Sequence, residues 1–166
     1  MRRIALSLFL FCTVNMINAQ NPFFEKYNTP HQTVPFDKIK NEHYEPAMLE
    51  GIKLHEAEIE AIINNPEAPT FANTIVAYEK SGKFLDRVTT VFGNLRSAET
   101  NDDLQKIAQK MIPLLSEHSN NISLNEKLFQ RVKAVYKQKS KLSLTIEQAK
   151  LLDDIYDGFV RRGANL

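Results

Sequence analysis

The chain has 166 residues, 43% of them hydrophobic and 25% charged, with one cysteine, no tryptophan, five glycines and seven prolines. That composition excludes a collagen-like, disulfide-stapled or strongly disordered protein. Twenty-one basic against 20 acidic side chains leave a net charge of +1, so no general electrostatic case for nucleic acid exists.

Residues 1–19 have the layout of a secretory leader. Met1-Arg2-Arg3 is basic, Ile4 to Val14 carries no charge, and Asn15 to Ala19 turns polar and ends on a small residue. Cleavage is expected between Ala19 and Gln20. The apolar run is too short to span a bilayer, which takes about 20 helical residues, so no stable membrane anchor is expected. Bulky Phe11 before Cys12 argues against a lipid anchor there. Cleavage leaves 147 residues with 19 basic and 20 acidic side chains, a charge of −1, and no cysteine. The expected location is periplasmic, and stability must come from apolar burial rather than from disulfides.

Residues 20–40 read as an extended arm. Pro22, Pro30 and Pro35 fix φ and remove donors, while Phe23, Phe24, Tyr27 and Phe36 suit a segment lying on a surface.

A helical period begins near Tyr44. Met48, Ile52, His55, Ile59 and Ile62/Ile63 share one face, Pro46 sits in the first turn, and Asn64-Asn65-Pro66 ends the run. A second run, Phe71 to Ser97, carries Ile75, Tyr78, Gly82, Leu85, Val88, Phe92 and Leu95. Gly82 either breaks it or permits a close contact. A third helix opens at Thr100-Asn101-Asp102-Asp103, with Thr100 as the expected cap, and carries Leu104, Ile107, Met111 and Leu114/Leu115. Pro113 should kink it. Asn125 caps a fourth helix with Leu128, Val132, Val135 and Tyr136. Thr145-Ile146-Glu147-Gln148 forms a capping box for a fifth, which repeats Leu151/Leu152, Ile155 and Phe159 and ends at Gly163. The expected fold is all-α: an antiparallel bundle of about five helices over residues 41–166, preceded by the arm.

Catalytic chemistry is sparse. His55-Glu56-Ala57-Glu58-Ile59 begins like the His-Glu-x-x-His of helical zinc peptidases, but Ile59 stands where the second ligand belongs. His55 therefore reads as a boundary residue on the buried stripe. His43 with Glu45 reads as polarity at a helix start. No Gly-x-Ser-x-Gly elbow and no phosphate loop occur. Asp153, Asp154 and Asp157 read as a solvated face rather than paired catalytic carboxylates, and Arg131, Lys133, Lys137, Lys139 and Lys141 as a solvated helix end rather than a polyanion patch. No catalytic or metal residue is assigned, and no substrate-binding residue is identified.

Longer strings carry more information. They are Asn21-Pro22-Phe23-Phe24, Lys40 to Ala47, Ala57 to Ile62, Asn64 to Phe71, Asn73 to Gly82, Ser97 to Asp102 and Phe159 to Ala164. Together they resemble the amino-terminal helical region of the M3 (thimet oligopeptidase-like) zinc metallopeptidases, nearest to the peptidyl-dipeptidase Dcp branch. Pro69-Thr70-Phe71-Ala72-Asn73-Thr74-Ile75 is the most specific piece.

The resemblance implies a large helical enzyme with a deep channel between two lobes, which releases dipeptides from the carboxyl end of oligopeptides. Its zinc is held by His-Glu-x-x-His and a later glutamate in the carboxyl half, and nothing here matches those residues. The expectation is therefore an amino-terminal fragment of an exported peptidase, inactive alone. It would supply channel wall, lack its carboxyl-terminal catalytic lobe, and expose an apolar patch. The alternative is a noncatalytic periplasmic module that binds peptides or a partner.

Overall fold

The computed structural model describes residues 21–163. The expected leader and its expected Ala19/Gln20 cleavage site lie outside the described residues. Five helices account for most of the rest: α1 (Tyr44–Ile63), α2 (Lys83–Ala98), α3 (Asp102–Ser123), α4 (Glu126–Tyr136) and α5 (Ile146–Arg161). A short helical segment, π-helical over Phe71–Val76 and α-helical over Ala77–Lys80, precedes α2. No strand occurs among the described residues, and none of their helices is long and apolar enough to cross a membrane.

Local chemistry sets the boundaries. Asn125 Oδ1 accepts from the Leu128 amide to start α4. Thr145 and Gln148 bond reciprocally to start α5, and Gly163 follows its end at φ 93°. The expected cap of α3 needs correction. Asn101 rather than Thr100 accepts from the Leu104 amide, while the Thr100 hydroxyl accepts from the Gln105 side chain. Two adjacent residues could each cap, and the amide one position nearer the helix takes the role. Helix α3 runs through Pro113 and continues to Ser123. Pro113 is exposed, so the apolar face beside it still packs without interruption.

The arm is less uniform than an extended strand. Pro22–Phe24, Pro30–Gln32 and Asn41–His43 form 3₁₀ turns. Proline's φ near −65° suits such turns as well as it suits extended chain, so two of them open on proline. Asn21 fastens the first turn: Oδ1 accepts from the Phe23 amide, and Nδ2 donates to the His43 carbonyl. Arg87 on α2 donates to the Phe23 carbonyl and stacks its guanidinium over Tyr27. Phe23 and Tyr27 are buried and Phe24 stacks on Phe84, whereas Phe36 stays exposed. The arm is thus built into the domain by its first seven described residues.

Apolar burial divides into two clusters. One gathers Phe23, Tyr44, Met48, Val88, Phe92, Leu104 and Met111. The other gathers Ile59, Ile62, Ile75, Ile122, Phe129, Leu152 and Phe159 with their neighbours. Helices α1 and α3 contribute to both, and each passes between them through a histidine: His55 on α1 and His118 on α3. Gly51 brings α1 against α2, since a Cβ there would stand 2.9 Å from the Leu85 side chain. Several large apolar side chains face solvent, Ile146 at 86% and Leu124 at 57% among them.

Candidate functional site

The polar seam between the two clusters is the most organised polar site among the described residues. His55 Nδ1 and His118 Nε2 are 3.0 Å apart, with the rings nearly edge to face at 67°. His55 Nε2 lies 3.2 Å from Ser81 Oγ, which donates at 2.7 Å to the Tyr78 carbonyl. On the far side, His118 Nδ1 faces Glu56 Oε1 at 3.6 Å and makes no hydrogen bond. The Gly82 amide donates to Glu58 at 2.7 Å. Every member is brought in by a helix end or a helix face: α1 supplies His55, Glu56 and Glu58, α3 supplies His118, and the break before α2 supplies Ser81 and Gly82.

Hydrogen-bond bookkeeping assigns the protons. The Ser81 hydroxyl hydrogen is spent on Tyr78, so Ser81 accepts from His55 Nε2–H. That leaves His55 Nδ1 bare, and it accepts from His118 Nε2–H. Ser81 is therefore a bonded hydroxyl that accepts a hydrogen bond from His55, the reverse of what an activated nucleophile requires. Burial holds the His55 pKa below its ordinary 6.5, the neighbouring His118 lowers it further, and Glu58 and Glu56 partly offset both. Beside the pair opens a groove of about 700 Å³, lined among others by Tyr78, Asp86, Thr89, Leu115 and Arg162.

Gly82 settles the choice left open in the sequence, and both readings hold. Its φ of 71° breaks the second helical run, and a Cβ there would stand 2.7 Å from the His55 ring.

The donor set does not fit a zinc site. No group of three or more His, Cys, Asp or Glu side chains that could hold a metal occurs among the described residues. His55 and His118 bond to each other, and their remaining nitrogens face a hydroxyl and a single carboxylate. Ile59, at the position a second ligand would take, is 3% exposed in the core. No hydrolytic step is assigned to these residues.

The other candidates are structural. His43 Nδ1 accepts from the Lys40 amide at the entry to α1, and Glu45 pairs with Lys110 on α3 instead of with His43. Asp153 binds Lys139 at 2.6 Å, Asp154 binds Lys150, and Asp157 is exposed. The basic run is dispersed. Arg131 donates to the carbonyls of Asn65 and Glu67, Lys133 lies over Phe129, and Lys137 and Lys141 are exposed.

The most distinctive string also has a structural role. Thr70 and Asn73 form a reciprocal cap, Asn73 Nδ2 donates to the Ala68 carbonyl, and Thr74 and Ile75 are completely buried. Sequence reasoning missed His118, although a signal was present. It stands seven residues after Met111 and four before Ile122, on the same helical face.

No protein-family model matches the chain. Among curated proteins it is 45% identical over 146 residues to a dipeptidyl carboxypeptidase of Salmonella typhimurium, a match covering 88% of this chain and 22% of that protein. It is 43% identical over 150 residues to the dipeptidyl carboxypeptidase of Escherichia coli, covering 90% and 22%. Oligopeptidase A of Salmonella typhimurium is more distant, 23% identical over 146 residues, covering 88% and 21%. The chain spans about a fifth of the length of these relatives. By these matches most of this chain is similar to about a fifth of the dipeptidyl carboxypeptidases and, more distantly, of oligopeptidase A.

Proposed function

We propose that this chain is the amino-terminal helical lobe of an exported, zinc-dependent peptidase that releases dipeptides from the carboxyl end of oligopeptides. Its share of that function is architectural: a channel wall and a packing face for the catalytic lobe. One observation carries the reading, the 45% identity spread over 88% of the chain. The geometry supports it, because the strings that bear the resemblance cap, pin and pack. Asn21 and Phe23 fasten the arm, Tyr44 fills the core, and Thr70 and Asn73 start a helical turn. Zinc would polarise water in the whole enzyme, and its ligands would come from outside the matched region. Export rests on the basic, apolar and polar order of residues 1–19.

Reading the gene beyond the Leu166 codon tests the proposal. The expected result is an open frame, continuous or interrupted, that encodes His-Glu-x-x-His several hundred codons on. A stop followed by unrelated sequence in every frame would sink it, leaving the noncatalytic module. Purified alone, the chain is expected to release no dipeptides.

A further inference from the structure

We propose that His55 and His118 form a pH-sensitive latch across the seam between the two apolar clusters, holding α1 to α3 at neutral pH and releasing them in mild acid. The geometry carries it. The nitrogens that face each other are 3.0 Å apart, and only one hydrogen fits between them. With that hydrogen on His118, the pair is a bond. A proton added at His118 Nδ1 meets Glu56 and leaves the bond intact. A proton added to His55 can go only to Nδ1, because Nε2 already donates to Ser81. When both rings hold an extra proton, two N–H groups point at each other, and the pair must part.

The rings cannot slide aside to avoid this. His118 is 5% exposed, and the three nearest atoms to a Cβ built on Gly82 all belong to the His55 ring. The seam is also where the two clusters meet on α1 and α3, so separation there disturbs both. The charged groups around the pair are mixed. Helix α1 presents Glu56 and Glu58, the segment before α2 presents Glu79, α2 presents Lys83 and Asp86, and Arg162 follows α5. Helix α3 adds only His118 itself and the uncharged Ser119 and Ser123. The two nearest carboxylates, Glu56 and Glu58, favour a proton on His55 but do not overcome burial and His118, so the closed form resists that proton.

The direction follows from linkage. Once open, His55 regains its ordinary pKa of 6.5 and binds a proton that the closed form refuses. The closed form is thus fully favoured above pH 6.5 and loses ground as pH falls below it, by up to about tenfold per pH unit.

Hydrogen exchange on the whole chain between about pH 7.5 and 5 tests this. Corrected for intrinsic rates, amides of Leu54–Ile59 and Leu115–Ile122 should open up to about tenfold more per pH unit below 6.5. His55→Gln, which can accept from His118 and donate to Ser81 without titrating, should be flat over the same range. Imidazole ¹⁵N spectra of the unmodified chain give a second readout that needs no variant. At pH 7.5 they should show His55 bare at Nδ1 and protonated at Nε2. Seam exchange that ignores pH, a pH slope that persists in His55→Gln, or both imidazoles doubly protonated with the seam still protected would each overturn the latch.

Discussion

Phe23→Ala is expected to lower the unfolding free energy by about 3–5 kcal/mol, the cost of deleting a fully enclosed aromatic ring. Twenty residues of loop and turn separate Phe23 from α1, so a sequence view places it on a peripheral arm. Its side chain is 0% exposed, however, and its ring centroid lies 5.3 Å from that of Tyr44, which in turn meets Phe92 at 5.2 Å. The backbone on either side is held by Asn21 and Arg87, so the arm cannot swing in to fill the void. Urea unfolding gives the measurement. A loss of this size with an unchanged denaturant slope means that the arm belongs to the cooperative unit. A change within about 0.5 kcal/mol, the usual range for a surface position, would mean that the arm merely rests on the helices.

Gly82→Ala is expected to cost a comparable amount, from two separate causes. A left-handed φ of 71° costs a residue with a Cβ about 1–2 kcal/mol. The new methyl would also meet the His55 ring at 2.7 to 3.0 Å, and overpacking of this kind costs about 1–3 kcal/mol. The ring has little freedom to yield, because Ser81 and His118 hold its two nitrogens. Gly93→Ala is the matched control. Gly93 lies inside α2 with nothing within 4 Å of its would-be Cβ, so it should gain about 0.5–1 kcal/mol from helix propensity. Equal effects at the two glycines would contradict the close packing assigned to Gly82.

Legibility in the sequence follows the range of the interaction. Helix starts at Thr145 and Asn125 and the stop at Gly163 rest on contacts within a few residues, so the one-dimensional order contains them. The buried faces of α1 and α2 were readable for the same reason, from Met48 through Ile59 and from Leu85 through Phe92. Competition between equivalent neighbours is harder. Thr100 and Asn101 both have capping chemistry, and only the backbone turn decides that Asn101 acts. The seam was beyond reach for a further reason. His55 and His118 stand 63 residues apart, and no motif links one to the other. Each alone is a histidine on an apolar face, and their shared hydrogen exists only after α1 and α3 pack. Resemblance to a family of peptidases gave no help there, because it places the zinc ligands outside this chain.

Taken together, the fastened arm, the capped turn at Thr70 and Asn73 and the two clusters describe a helical region whose distinctive residues build shape. A chimera tests that most directly. The matched region of the Salmonella typhimurium dipeptidyl carboxypeptidase, 22% of its length, would be replaced by residues 21–163 of this chain, and release of carboxyl-terminal dipeptides measured. An interchangeable lobe predicts a folded chimera with kcat/KM within about tenfold of its parent, a barrier difference near 1.4 kcal/mol. A folded chimera that releases no dipeptides would contradict it.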